Sequence, residues 1–474
     1  MVDLAAVSGM RVTVMGLGLN GGGLESARFF ARRGAAVTVT DLRGADVLAP
    51  SIRALEGLPL RYVLGRHEEA DFRDTDLVIK NPGVPPTSVY LQAARRAGVP
   101  VETDLSVFLR LAPNPLIAVT GSKGKSTTAS AIHHGLMTMF PEARLAGNIT
   151  ISPLSFLADL APTAPVVLEL SSWQLGDLAG RGLLKPGLSA MTRILPDHLD
   201  KYPGMAEYVA DKKAVFREQE PGAFAVFNHD DPWQADFPKE TAAAARFFSA
   251  EPLPDGMRGA WLEGDGGFCN AVDGAGGKEP ILPASVQLRG LHNRMNLLCA
   301  GLCLRLSGVE AAAVRSALAG FTGVEHRLEP LGTWKGIRFY NDSAATIPDA
   351  AAAAVRALDR PVVLIAGGTD KNLDFTPLLE AADIPARILL LAGTATERIR
   401  PLLERAGIPY TGPYQGIREA VEAARDAALE LAASSGTASV VLSPGCASFG
   451  MFLNEFDRGR KYKAAVASIT GGGA

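Results

Sequence analysis

The segment TGSKGKST combines the residue types that a phosphate-binding loop requires. Gly121 and Gly124 let the backbone approach a phosphate, Lys125 can neutralise its charge, and the Ser126 hydroxyl can ligate Mg²⁺. The strict P-loop spacing is absent, because Val119 stands five residues before Gly124. An apolar run precedes the segment and a helix-like stretch follows it, so we predict a strand, a phosphate loop and a helix in succession.

A second glycine-rich segment, MGLGLNGGGL, lies near the amino terminus. Gly16, Gly18 and Gly21 follow the G-x-G-x-x-G spacing, and Asp41 ends the next apolar run. This pattern is typical of dinucleotide-binding folds. Glycines at a strand-to-helix turn also suit any other phosphate. The residues therefore leave open whether this turn binds NAD or a different diphosphate.

Carboxylates and a histidine downstream of the phosphate loop could bind metal. Glu169 ends the apolar run VVLE, where it could complete a Mg²⁺ site opposite the loop. His198 stands between Asp197 and Asp200. A single histidine is usually structural, whereas one flanked by two carboxylates is also a candidate metal ligand.

Lysines 212 and 213 follow within a predicted helix. Tyr208 and Lys212 are four residues apart and share a helix face, whereas Lys213 points elsewhere. Both lysines could be ordinary surface residues.

Composition limits the classes of partner. The chain has 474 residues and a net charge of −3, and it lacks an uninterrupted run of about 20 apolar residues. Its amino terminus does not follow the order of a signal peptide. We therefore predict a soluble, cytoplasmic protein without nucleic-acid or membrane partners. The four cysteines form no C-x-x-C pair, which favours small buried residues over a metal or disulfide role.

Short apolar runs alternate with helix-like stretches over most of the chain. This alternation predicts α/β domains with parallel sheets. Breaks near residues 115 and 320 divide the chain into predicted domains at 1–110, 111–321 and 322–474. The Gly-, Pro- and Asp-rich segment 217–290 predicts an antiparallel appendage or long loops.

These motifs, in this order, resemble the Mur ligase family, the ATP-dependent amino-acid ligases of peptidoglycan precursor synthesis. The resemblance covers essentially the whole chain. It implies a Rossmann-like amino-terminal domain, a central P-loop ATPase-type domain and a Rossmann-like carboxyl-terminal domain. It also implies that D-glutamate is added to UDP-N-acetylmuramoyl-L-alanine through an acyl phosphate, with the first glycine turn holding UDP and not NAD. We expect a monomer.

The resemblance also implies a role for individual residues. Lys125, His198 and Lys212 would be catalytic, and two Mg²⁺ ions would be held by Ser126, Glu169, His198 and a carbamate on Lys212. The residues that would bind ATP are Gly121, Ser122, Lys123, Gly124, Lys125, Ser126, Thr127, Asn293, Asn296, Arg327 and Asp342. Those that would bind the UDP substrate are Gly18, Leu19, Asn20, Asp41, Arg43, Asn81, Gly83, Asn148 and Ser171. Glutamate would contact Thr346, Lys371 and Ser448.

Two departures from the family pattern fall at the predicted glutamate pocket. Ala344 replaces the usual lysine of D-S-K-A-T, and Glu455 stands where an aromatic residue is expected. The alternatives are therefore a Mur-type ligase for another amino acid, for example L-glutamate, or a ligase that polyglutamylates folate. From another class, a nucleotide-binding module and an NAD-dependent oxidoreductase also remain.

Overall fold

The structure, a computed structural model, is built on three sheets. It divides into two compact units, Met1–Ala284 with Met295–Ala319, and Ser285–Arg294 with Gly320–Ala474. The residues that it describes are 4, 6–19, 21–149, 151–197, 202–271, 277–288, 290–370, 373–448 and 450–471.

The amino-terminal sheet has five parallel strands joined by helices. Its strands are β1 Arg11–Met15, β2 Ala36–Asp41, β3 Leu60–Leu64, β4 Leu77–Lys80 and β5 Val101–Glu102. Its helices are α1 Gly22–Arg32, α2 Ala45–Arg53, α3 Ala70–Arg73, α4 Val89–Arg96 and α5 Asp104–Leu111. The strand order is β3-β2-β1-β4-β5, so the order reverses at β1. Open parallel sheets bind ligands at such a switch point, beyond the carboxyl ends of the strands.

The central sheet has nine strands. They are β6 Leu116–Thr120, β7 Arg144–Gly147, β8 Val166–Glu169, β9 Leu188–Met191, β10 Phe224–Asn228, β11 Ala244–Ser249, β12 Gly259–Glu263, β13 Gly266–Cys269 and β14 Glu279–Leu282. The helices in this part of the chain are α6 Lys125–Leu136, α7 Ser172–Leu178, α8 Met205–Lys212, α9 Ala214–Arg217, α10 Leu291–Leu306 and α11 Ala311–Gly320. The parallel neighbours of β6 are β8 and β9, so the segments that follow these three strands meet at one edge of the sheet.

The prediction for residues 217–290 is correct only in its second half. Strands β12, β13 and β14 form an antiparallel meander, as expected. Strands β10 and β11, however, extend the sheet in parallel. The sequence did not reveal β10 and β11 because both are short, many turn-forming residues surround them, and no long helix lies between them.

The carboxyl-terminal sheet has six strands and is covered on both faces. Its strands are β15 Glu329–Trp334, β16 Ile337–Asn341, β17 Val362–Ala366, β18 Arg387–Leu391, β19 Thr411–Tyr414 and β20 Ala438–Leu442. Its helices are α12 Pro348–Ala357, α13 Thr376–Leu379, α14 Thr394–Arg405, α15 Ile417–Ser435 and α16 Glu455–Thr470. Every residue of β17 and of β20 is buried, as expected for parallel strands between two helical layers.

One apolar core joins the amino-terminal and central sheets. Leu17 beside the first glycine turn, Phe108 of α5, Leu154 and Leu170 all belong to it. Because these side chains share one core, the first two sheets belong to a single compact unit. In the described part of the chain, no helix is long and apolar enough to cross a membrane.

Candidate active site

The phosphate loop between β6 and α6 requires glycine at two positions. A Cβ atom on Gly121 would lie 2.0 Å from Thr192 Oγ1, and one on Gly124 would lie 2.2 Å from Asn296 Oδ1. Both residues also have positive φ angles, 142° and 94°. The amides of Ser122 and Lys123 donate to the Arg193 carbonyl, which fixes the loop against the segment after β9. The first N–H groups of α6 lack acceptors within the helix, so this end of the helix favours an anion.

Two lysine amino groups converge on the carbonyls of this loop. Lys125 Nζ donates to the Gly121 and Ser122 carbonyls at 3.0 Å, and Lys212 Nζ donates to the Gly121 carbonyl at 2.8 Å. Tyr208 packs under Lys212, with Nζ 4.5 Å from the ring centroid, and its hydroxyl donates to Ser122 Oγ. The predicted shared face of Tyr208 and Lys212 is confirmed.

Lys212 is not a surface lysine. Only 1% of its surface is exposed. Burial, reinforced by the charges of Lys125 and Lys123, holds the pKa of Lys212 well below its usual range. Lys213, by contrast, turns away from the loop and pairs with Glu240 at 2.5 Å. The two adjacent lysines therefore occupy different environments, and the alternative of two ordinary surface lysines is wrong for Lys212.

Glu169 presents a carboxylate oxygen without a partner beside the loop. The residue is fully buried at the end of β8. Its Oε1 accepts a hydrogen bond from Asn148 Nδ2 at 3.2 Å, whereas Oε2 has no hydrogen-bond partner among the described residues. A buried carboxylate oxygen is costly without a donor or a cation, so this atom suits a hard cation such as Mg²⁺.

Lys123 reaches the segment that carries the predicted histidine ligand. Its Nζ lies 3.3 Å from Asp197 Oδ2. His198 itself lies outside the described residues, as does Asp200. Ser126 and Thr127 lie in the first turn of α6 and are buried there.

The first glycine turn is shaped by Asp41. The Gly18 amide donates to Asp41 Oδ2 at 3.1 Å, and the Arg43 amide donates to Oδ1 at 2.9 Å. Asp41 is 4% exposed, so its carboxylate is committed to the turn and is poorly placed to receive the ribose hydroxyls of NAD. The Arg43 side chain is about half exposed, and the neighbouring Leu42 exposes 66% of its surface.

Asn81 joins the first turn from the end of β4. Its Nδ2 donates to the Gly16 carbonyl at 3.4 Å, and its Oδ1 accepts from the Gly83 amide at 3.2 Å. Gly23 packs α1 closely against the residues that follow β1, because a Cβ on Gly23 would lie 2.0 Å from the Gly16 carbonyl oxygen. The G-x-G-x-x-G spacing does not single out Gly23. Its only signal in the sequence is its place in the run GGG.

Three further residues are predicted to contact the UDP substrate: Ser171, Leu19 and Asn20. Ser171 is the N-cap of α7, where its hydroxyl exchanges hydrogen bonds with Gln174. Its predicted substrate contact competes with this local role. Leu19 is half-buried in the turn, and Asn20 lies outside the described residues.

In the second unit, Asp342 anchors the turn after β16. Its Oδ1 accepts from the Leu328 amide at 3.0 Å and its Oδ2 from Ser443 Oγ at 2.6 Å. Burial raises the pKa of Asp342 to about 6. Asp342 therefore holds the backbone of Leu328, the residue that follows Arg327. Asn293 lies within the first turn of α10.

The carboxyl ends of β16 and β20 carry two of the predicted glutamate contacts. Thr346 follows β16 and Ser448 follows β20, its parallel neighbour. Ser448 is 3% exposed, and its Oγ has no hydrogen-bond partner among the described residues. Arg458, fully buried, donates to the Ser343 and Cys446 carbonyls and so fixes both turns. Lys371 lies outside the described residues.

Comparison with known proteins identifies the family. The model of the Mur ligase middle domain matches residues 119–304, that of the MurD-like N-terminal domain matches residues 10–103, and that of the glutamate ligase domain matches residues 326–446. The chain belongs to the Mur ligase family, which confirms the resemblance that the motifs indicated.

The relatives are similar along their whole length. A UDP-N-acetylmuramoylalanine–D-glutamate ligase from Roseiflexus sp. (strain RS-1) is 44% identical, with 98% of this chain and 100% of that protein covered. Another, from Treponema pallidum (strain Nichols), is 38% identical over 98% of this chain and 99% of that protein. The crystal structure of UDP-N-acetylmuramate-alanine ligase MurC from Thermotoga maritima has a TM-score of 0.61 at 18% identity, covering 97% of this chain and 100% of that one. This likeness confirms the predicted α/β fold.

Proposed function

We propose that the chain is an ATP-dependent, ADP-forming ligase that joins D-glutamate to UDP-N-acetylmuramoyl-L-alanine in peptidoglycan precursor synthesis. The observation that carries this proposal is the convergence of Lys125, Lys212 and the unpartnered Glu169 oxygen on one glycine loop. Such a site neutralises the charge of a transferring phosphoryl group. The full-length similarity to ligases of that name supports the substrates.

The first glycine turn would hold the UDP part of the substrate. The turn offers backbone N–H groups and the amino-terminal end of α1 to a diphosphate. Arg43 supplies a half-exposed guanidinium, and Leu42 supplies an exposed apolar face beside it for the uracil ring. The sugar and its alanine would extend toward Asn148, whose side chain bonds Glu169.

Ser126, Glu169, His198 and a carbamate on Lys212 would hold the two Mg²⁺ ions. The free, buried Oε2 of Glu169 fits a hard cation that takes oxygen ligands. When bound, Mg²⁺ neutralises phosphate charge. The burial of Lys212 favours its neutral amine, the form whose Nζ attacks CO₂ to form a carbamate and release a proton.

The reaction would run in two transfers. An oxygen of the alanine carboxylate forms a bond to the γ-phosphorus of ATP, and the bond to ADP breaks. The amine of glutamate then attacks the acyl carbon, inorganic phosphate leaves, and the nitrogen loses a proton to give the amide. Lys125 would stay with the phosphoryl oxygens throughout, while Asn293, Asn296, Arg327 and Asp342 would bind the rest of ATP. Catalysis at this site is positioning and charge neutralisation.

Thr346, Lys371 and Ser448 would hold the carboxylates of glutamate. The unpartnered, buried hydroxyl of Ser448 supports this role, because it has a donor to offer. We retain 1–110, 111–321 and 322–474 as the domains that serve UDP, ATP and glutamate, and a monomer as the working unit.

An acceptor panel tests the proposal. Phosphate release from ATP is measured with UDP-N-acetylmuramoyl-L-alanine and, in turn, D-glutamate, L-glutamate, D-alanine, L-lysine and meso-diaminopimelate. We expect release with D-glutamate that requires both substrates. Release with another amino acid instead would reassign the acceptor, and a change in nicotinamide absorbance without phosphate release would replace the ligase by an oxidoreductase.

The carbamate has a test of its own. Lys212→Ala should lower kcat by on the order of 10², because a charged oxygen ligand is lost from the phosphoryl site. Lys213→Ala is the matched control and should remain near wild type, since its partner is Glu240. Removal of CO₂ should lower wild-type activity and bicarbonate should restore it. Full activity of Lys212→Ala with unchanged Mg²⁺ binding would refute the carbamate.

A further inference from the structure

Asp104 is a buried carboxylate outside the residues assigned above. It begins α5 directly after the N-cap Thr103 and is 6% exposed. Its Oδ1 accepts from the Leu105 amide at 2.9 Å, and its Oδ2 accepts from Ser152 Oγ at 2.8 Å. The second bond spans 48 residues of sequence and ends in the loop after β7.

That loop is anchored at both ends. At its start, the Asn148 amide donates to the Glu169 carbonyl at 2.8 Å, and the Asn148 side chain donates to Glu169 Oε1 at 3.2 Å. The loop folds back through a hydrogen bond from the Gly147 amide to the Ile151 carbonyl. It ends at Ser152, on Asp104. One end therefore rests on the candidate metal ligand and the other on Asp104.

Asp104 also adjoins the first glycine turn. A Cβ atom on Gly22, the first residue of α1, would lie 3.6 Å from Asp104 Oδ2 and 3.8 Å from Asn81 Nδ2. Leu17 of the turn, Leu105 of α5 and Leu154 after Ser152 share one apolar core. The carboxylate thus lies between the turn proposed for UDP and the loop that bonds Glu169.

We propose that Asp104 is a positioning residue that sets the distance between the two ends of the substrate site. Through Ser152 it holds Asn148 and Glu169 in register with the glycine turn, so that a substrate bound by its diphosphate presents its carboxylate to the phosphoryl site. This inference rests on the proposed function. It predicts that loss of the contact disturbs the complete substrate and leaves UDP alone, which spans only one end, bound as before.

The test compares Asp104→Ala, Asp104→Asn and Ser152→Ala with Ser155→Ala in the full chain. Ser155 lies in the same turn, but its hydroxyl donates to the Ser152 carbonyl, so its loss leaves Asp104 untouched. For each variant, calorimetry gives the Kd of UDP, steady-state kinetics give kcat and the KM of each substrate, and thermal unfolding gives the Tm.

We expect Ser152→Ala and Asp104→Ala to raise the KM of UDP-N-acetylmuramoyl-L-alanine about tenfold and to lower kcat, as for loss of a hydrogen bond to a charged group. The KM of ATP and the Kd of UDP should stay within about twofold, because neither ligand spans both ends of the site. Asp104→Asn keeps an acceptor for Ser152 and should recover most of the loss, and Ser155→Ala should match wild type.

If Asp104→Ala does not fold, the Ser152→Ala variant tests the inference in its place. A lower Tm with unchanged kcat and KM would make the contact purely structural and overturn the inference, as would an equal loss of UDP affinity. Wild-type enzyme without glutamate-dependent phosphate release would instead refute the proposed function, and this inference with it. Active wild type with a normal Ser152→Ala variant would refute the inference alone.

Discussion

The two glycine turns have the same backbone design and different surroundings. Each joins a parallel strand to a helix through glycines with positive φ, Gly18 in one and Gly124 in the other. In the first, the buried carboxylate of Asp41 accepts a backbone N–H. In the second, the side-chain nitrogens of Lys125 and Lys212 donate to the loop carbonyls.

The first turn has the features needed to bind a phosphate, whereas the second also has those needed to transfer a phosphoryl group. Glycine geometry brings backbone N–H groups to a phosphate in either turn. Transfer of a phosphoryl group also requires charge neutralisation while bonds to phosphorus form and break. Only the second turn gathers lysines and a free carboxylate oxygen in the described part of the chain, at Lys125, Lys212 and Glu169.

Lys125→Ala should have the largest effect, and it should affect the second turn only. It removes a charge that neutralises the transferring phosphoryl group, so kcat should fall by about 10³. The affinity for UDP, measured by calorimetry, should not change, because the proposed UDP site is the other turn. A parallel loss of UDP affinity would show that the two turns do not act separately.

Lys80→Met tests whether a lysine near the first turn is structural. Lys80 ends β4, is 5% exposed, pairs with Asp177 at 2.7 Å and donates to the Val84 carbonyl. Removing one partner of a buried pair should lower the free energy of unfolding by about 3 kcal/mol, measured by urea denaturation. Lys185→Met is the control, because its pair with Glu220 is exposed and should contribute about 1 kcal/mol or less. Equal effects of the two changes would contradict the assignment.

Arg43→Ala should affect the first turn alone. Loss of a charge-assisted contact should raise the KM of the UDP substrate about tenfold and leave the KM of ATP unchanged. Steady-state kinetics with each substrate varied separately give both values. A larger change in the KM of ATP would move Arg43 to the other site.

Ser448→Ala tests whether the carboxyl-terminal sheet binds glutamate, the third substrate. A hydrogen bond to a carboxylate contributes about 1.5 kcal/mol or more, so the KM of glutamate should rise about tenfold while the KM values of the other two substrates stay fixed. Ser468→Ala is the control, because that hydroxyl bonds the Ala465 carbonyl within α16. A shift in the KM of ATP alone would refute the glutamate assignment.

Sequence was sufficient where local chemistry determines the structure. Gly121, Gly124 and Lys125 form the predicted loop, and Glu169 ends the predicted strand, because strand–turn–helix units are specified by neighbouring residues. It failed where distant contacts decide. The close approach of Gly23 to the Gly16 carbonyl is one such contact. The paired role of Asp41 in the turn, the bond from Ser152 to Asp104 and the parallel pairing of β10 with β11 depend on residues remote in the chain.

Transfer of the γ-phosphoryl group to the substrate carboxylate is tested most directly with a heavy oxygen isotope. The alanine carboxylate of UDP-N-acetylmuramoyl-L-alanine is labelled, the reaction is run with ATP and D-glutamate, and the released phosphate is analysed by mass spectrometry. An acyl phosphate predicts that each phosphate carries one labelled oxygen from the carboxylate. Unlabelled phosphate, released together with the amide product, would contradict carboxylate activation at the second glycine turn.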